Sequence, residues 1–113
     1  MNVDAQQAAW LAAELDETLT TMGYVGLYDA LWTINGASLG LAPARARELA
    51  RSVVVALLED RAAGRQLRRL AWPSGTPVSG PLDSSTLDND AAWGEGESYV
   101  ALVQADYGTD VNV

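Results

Sequence analysis

The stretch from Ala42 to Gly64 constrains this chain most, because it holds a start signal, a stop signal and one apolar stripe. Pro43 suits the first helical position, where an N–H would have no partner anyway, and Gly64 suits the left-handed residue that ends a helix. Between them Ala46, Leu49, Ala50, Val53, Val54, Leu57 and Leu58 recur at steps of three and four, which predicts an amphipathic helix over 43–63. Continuing the same turn carries Asp60 toward the apolar side, so the last turn either frays or Asp60 pairs with an arginine. The same region is the only basic part of the molecule. All seven cations, Arg45, Arg47, Arg51, Arg61, Arg65, Arg68 and Arg69, lie on this helix or just beyond it.

With 113 residues, 49% of them hydrophobic, the chain has material for one core, and it reads as a single domain over 1–113. Its charge is divided: −5 over residues 1–44, +4 over 45–69 and −7 over 70–113, for a net −8. Such a field repels nucleic acid and anionic membrane at long range and attracts cationic partners. The absences exclude more. Without His or Cys there is no imidazole base, no thiolate nucleophile, no disulfide and no common zinc set, and without Lys there is no Schiff base or phosphate-loop lysine. Arginine used without lysine, beside many Ala, Gly and Val, points to a GC-rich bacterial genome or its phage. The first thirty residues carry five acids and no cation, unlike a signal peptide, and no apolar run has the length of a membrane span, so the expected location is cytoplasmic.

Ahead of the central helix, Asp4 and Gln7 form a capping-box-like start for a helix over 4–22, with Ala8, Leu11, Ala12, Leu15, Leu19 and Met22 on its apolar side and Gly23 as its stop. Trp10 falls on the polar side near Glu14 and Glu17, either folded over a helix edge or held out for a partner. Residues 24–34 read as a second helix, broadly apolar and mostly buried, with Asn35-Gly36 as a turn; a strand over Tyr24 to Tyr28 is the alternative. Core packing, with hydroxyls reaching the surface, is the expectation for the Tyr24, Tyr28 and Trp32 ladder, ahead of a ligand box. After the central helix, 66–72 and 98–105 read as strands, the second apolar enough to be covered on both faces. Between them lies a Pro- and Gly-interrupted acidic loop over 73–97, anchored by Leu82, Leu87 and Trp93, in which 85–93 has the makings of a short helix. The fold class is thus α+β: three N-terminal helices followed by a small antiparallel sheet with a long irregular loop.

The loop gathers Asp83, Asp88, Asp90, Glu95 and Glu97. As a calcium site it fails the helix-loop-helix spacing test: counted from Asp88, the sixth position is Trp93 where glycine belongs, and the twelfth is Tyr99 where glutamate belongs. Carboxylate pairs alone can run glycoside hydrolysis, but none here is framed like a sugar cleft, and Ser84 and Ser85 have no base to activate them. No enzyme activity, cofactor or metal is expected. The arginines divide into a helix-surface group, with Arg45 and Arg51 each three residues from Glu48, and a group of Arg61, Arg65, Arg68 and Arg69 expected to tie down the loop acids or else to hold an anion.

The order helix, helix, helix, strand, long loop, strand resembles a winged-helix domain, with 24–34 and 43–63 as the helical pair and 73–97 as the wing. In a DNA-binding member the second helix of the pair enters the major groove through its first residues, here Arg45, Arg47 and Arg51. The acidic wing and net charge oppose phosphate contacts. The leading expectation is therefore a non-enzymatic protein-binding protein that meets a basic partner through Asp83, Asp88, Asp90, Glu95, Glu97 and Trp10. In size and charge it resembles immunity proteins, antitoxins and phage-encoded inhibitors. A winged-helix DNA-binding protein or transcription-regulatory adaptor acting through Arg45, Arg47 and Arg51 is the alternative, and a homodimer is left open.

Overall fold

The computed structural model describes residues 3–37, 40–60, 62–72, 74–79, 81–94, 96–104 and 107. Helix α1 spans Val3–Met22 and buries Leu11, Leu15 and Leu19, one residue per turn, as the stripe requires. Met22, expected in that stripe, is exposed because it ends the helix beyond the core. Gly23 stops the helix with φ +85° while its N–H donates to the Leu19 carbonyl at 2.8 Å, a left-handed termination that glycine tolerates best.

The next three residues correct the expected helix over 24–34. Tyr24–Gly26 form strand β1, and helix α2 spans Leu27–Gly36 with Leu27, Ala30 and Ile34 buried. β1 pairs antiparallel with the last strand, Tyr24 opposite Val103 and Gly26 opposite Ala101. Ladder bonds to a distant partner outweigh the weak helical preference of an aromatic, a β-branched residue and a glycine.

Helix α3 spans Pro43–Glu59, with Pro43 in the first turn and Ala46, Ala50, Val53 and Val54 buried. It ends four residues before the expected Ala63. Asp60 leaves the helix at φ −74°, ψ 87°, which keeps its carboxylate out of the core and within 3.9 Å of Arg65 Nη1.

Strands β2, Gln66–Ala71, and β3, Ser98–Val103, complete a three-stranded antiparallel sheet in the order β1-β3-β2. Central β3 is buried from Tyr99 to Val103, matching its unbroken apolar run. Both strands end earlier than the expected Trp72 and Ala105; Trp72 sits in a turn, and Ala105 lies outside the described residues. One sheet face, carrying Val25, Leu67, Val100 and Leu102, packs with the three helices in the main core. The other face, carrying Leu70, Tyr99, Ala101 and Val103, forms a second cluster with Tyr24, Tyr28 and Tyr107.

The long loop is not free coil. Its first half runs beside β2, where Val78 N–H donates to the Arg69 carbonyl and Leu82 N–H to the Leu67 carbonyl, so the exposed edge of β2 is covered. Its second half forms two 3-10 helices, Ser84–Asp88 and Asp90–Trp93, started by side-chain caps from Asp83 to the Ser85 N–H and from Asn89 to the Ala91 N–H. Among the described residues no helix is long and apolar enough to cross a membrane.

Candidate functional site

The chain's own loop packs against one side of the first half of α3. Trp93, buried, donates its indole N–H to the Leu87 carbonyl at 2.9 Å, and Leu87 is itself fully buried. The Arg47 guanidinium lies 5.0 Å over the Trp93 ring, and Arg51 Nε meets Asp88 Oδ1 at 2.8 Å. Arg45 pairs with Glu48 at 3.3 Å along the helix surface. The three arginines singled out as phosphate contacts thus each have a partner within the chain. Arg47, Arg51 and Asp88, with Pro43, Glu48 and Leu87, line a shallow open depression on this face.

The second arginine group behaves differently from expectation. Arg65 turns to α1 rather than to the loop: its Nη2 lies 2.6 Å from Asp16 Oδ1, and its side chain is only 9% exposed. Arg68 donates to the Ser79 carbonyl and Arg69 to the Ser98 hydroxyl. The reason is positional. The loop passes β2 as backbone, so these guanidinium groups meet carbonyl and hydroxyl oxygens, while the loop acid Asp88 reaches α3 and is held by Arg51. Arg61 lies outside the described residues.

Of the acids nominated for partner binding, the three whose side chains are described stand in different local settings. Asp83 is exposed and caps a 3-10 helix, Asp88 is engaged by Arg51, and Glu97 is exposed at the start of β3. Glu95 and the side chain of Asp90 lie outside the described residues. Trp10 is half-buried against the main core, so it reads as a packing residue at the helix edge. Among the described residues no group of three or more acidic side chains is placed to hold a metal ion.

A site that sequence reasoning did not assemble lies on the outer face of the sheet. Tyr28, Trp72, Gly96 and Tyr99 line a notch of about 370 Å³. Tyr99 is its buried base, with the Tyr28 ring edge-on at 5.3 Å and 86°, and the Trp72 ring at 6.2 Å and 71°. Trp72 is 59% exposed, and Trp32, one turn along α2 from Tyr28 and so on the same helix face, is 66% exposed. Two glycines shape the site. A Cβ on Gly26 would stand 2.6 Å from the Tyr28 ring, so that ring rests on bare backbone, whereas a Cβ on Gly96 would meet only the Ser98 carbonyl, at 3.5 Å. Behind the notch Tyr107 leans on Tyr24 at 5.2 Å and donates to the Gly75 carbonyl at 2.6 Å.

Burial pushes the Tyr99 hydroxyl well above the ordinary phenol range, with neighbouring Tyr24 adding to the shift, and burial raises Tyr107 as well. Both therefore stay protonated at neutral pH and serve as donors and ring faces rather than as bases. The notch offers apolar area and aromatic rings to an occupant. The tyrosine and tryptophan positions were visible in the sequence, but only the β2–β3 register brings Trp72 beside Tyr99. Comparison with protein-family models, curated proteins and solved structures finds no match.

Proposed function

We propose that this chain is a non-catalytic, winged-helix-like protein-binding module that engages a basic protein partner, in the manner of small inhibitors, immunity proteins and antitoxins. The observation that carries the reading is that the arginines on the first half of α3 are engaged within the chain. Arg47 lies on Trp93, Arg51 on Asp88 and Arg45 on Glu48, which lowers what each gains from a phosphate. The acidic excess of the rest of the chain supports a cationic partner, because opposite fields speed encounter. The winged-helix likeness rests on the order of elements, with α2 and α3 as the helical pair and 73–97 as the wing.

One observation favours the DNA-binding or regulatory-adaptor alternative: Arg45, Arg47 and Arg51 lie in the first half of the second helix of that pair. Fluorescence anisotropy with mixed-sequence duplex DNA separates the two. The expected result is no complex tighter than about micromolar at physiological salt. A nanomolar complex lost on Arg47→Ala or Arg51→Ala promotes the alternative.

A further inference from the structure

We propose that the notch formed by Tyr28, Trp72 and Tyr99 receives a cationic side chain, arginine or lysine, from a basic segment of the protein partner. The inference rests on the protein-binding reading above and adds where the partner docks and by what chemistry. Exposed indole on a small protein is a cost that a binding surface explains, and aromatic anchors dominate the energetics of such surfaces. Three rings gather around one opening, and a cation that reaches the face of such a ring is held there more strongly than a neutral group.

The charge around the notch agrees. The Trp72 N–H donates to the Glu97 carbonyl at 2.8 Å, one step beyond the Ala71–Ser98 pair, so Glu97 stands opposite Trp72 across the ladder. Residues directly opposite in an antiparallel ladder share a face, which places Glu97 on the side of the rings. Among the described residues no cationic side chain lines the opening. The molecule as a whole carries −8. A guanidinium or ammonium entering here meets ring faces inside, a carboxylate at the rim and an attractive long-range field. A proline-rich segment would use the rings but gain nothing from that charge.

The test uses the full chain and two short peptides, one with arginines spaced by glycine and serine, the other identical with citrulline in place of each arginine. Binding is followed in two-dimensional NMR by the indole resonance of Trp72 and the backbone amide resonances of residues 96–101, the latter serving for Trp72→Ala. The arginine peptide should shift that resonance and bind about tenfold more tightly than the citrulline peptide. Gly96→Leu, which fills the opening where a Cβ has only an ordinary contact, and Trp72→Ala should each weaken binding by about tenfold with unchanged cooperative melting. Glu97→Gln should weaken it less. If the arginine peptide binds in a salt-dependent way yet ignores Gly96→Leu and Trp72→Ala, the notch proposal falls and the basic-partner reading stands. If citrulline or proline-rich peptides bind the notch as well as the arginine peptide does, the cation is overturned as the occupant. If no basic peptide binds at any surface, both readings fall.

Discussion

Replacing Trp93 with Phe tests whether the loop is clamped on α3 or merely lies near it. Three losses follow from the geometry. The Leu87 carbonyl loses the indole N–H that now lies 2.9 Å from it in a buried setting, worth about 1 to 3 kcal/mol. The smaller ring leaves part of a nearly closed site unfilled, worth about 1 kcal/mol. The Arg47 guanidinium, 5.0 Å over the ring, exchanges an indole for a weaker benzene face, worth a few tenths of a kcal/mol. The expected cost is therefore about 2 to 4 kcal/mol, a large share of the roughly 5 to 15 kcal/mol that holds a domain of this size. Urea and thermal unfolding followed by far-ultraviolet circular dichroism read it directly, as a melting temperature lower by about 10 °C. Hydrogen exchange should speed up first in residues 84–93, which open ahead of the helices. A double-mutant cycle with Arg47→Ala should return a small favourable coupling. A cost below about 0.5 kcal/mol, or uniform exchange across the chain, would refute the clamp of the loop on α3.

Asp16→Ala should cost about 1 to 3 kcal/mol in urea unfolding, because it strands the nearly buried Arg65 guanidinium, whose Nε already has no partner; Asp16 is itself half exposed, which keeps the figure below that of a fully buried pair. A loss under a few tenths would show the pair to be ornamental. Val53→Asp should abolish cooperative melting, since Val53 is 3% exposed, whereas half-buried Leu57→Asp should leave a folded but weaker protein; two equally folded variants would place the core elsewhere. Alkaline pH should also destabilise the fold. Tyr99 and Tyr107 have folded-state pKa values raised above the unfolded value, so the folded state holds protons that the unfolded state releases, and stability falls as pH rises past about 10. Phenolate absorbance should show these two tyrosines ionising only with unfolding, and full ionisation in a still-folded protein would contradict their burial.

The parts of the fold visible in the sequence are those whose signal is local. Helix α3 announces itself through Pro43 and a repeat that fills more than four turns, and β3 through an apolar run between glycines. Strand β1 was legible only as the alternative over Tyr24 to Tyr28, because three residues cannot display a period of two, and Tyr24-Val25-Gly26 joins smoothly onto the apolar pattern of α2. Its state is decided by Val103, Leu102 and Ala101, nearly eighty residues away. The same holds for the sites. That Arg51 would pair with an acid was foreseeable, but that the acid is Asp88 and not Glu48 depends on how the 3-10 helices lie against α3. The aromatic notch draws on α2, the end of β2 and the start of β3, and no spacing along the chain links the three.

The division of charge along the chain becomes intelligible once the pairings are known. Fifteen acids face seven arginines, so at least eight carboxylates cannot have a cation of their own, whatever the fold. The arginines lie in a segment that packs widely: α3 meets α1 and α2, and β2 meets β3 and carries the loop along its edge. There each described arginine finds an oxygen or ring of the chain, Glu48 for Arg45, Trp93 for Arg47, Asp88 for Arg51, Asp16 and Asp60 for Arg65, and backbone or hydroxyl oxygen for Arg68 and Arg69. With more acids than arginines the molecule presents a net negative field. The notch lies on the outer sheet face with Leu70 and Tyr99, and the β2 arginine that the register puts on that face, Arg68, is held by the Ser79 carbonyl. A basic partner drawn by the field therefore arrives at a surface of aromatic rings where that arginine is already engaged.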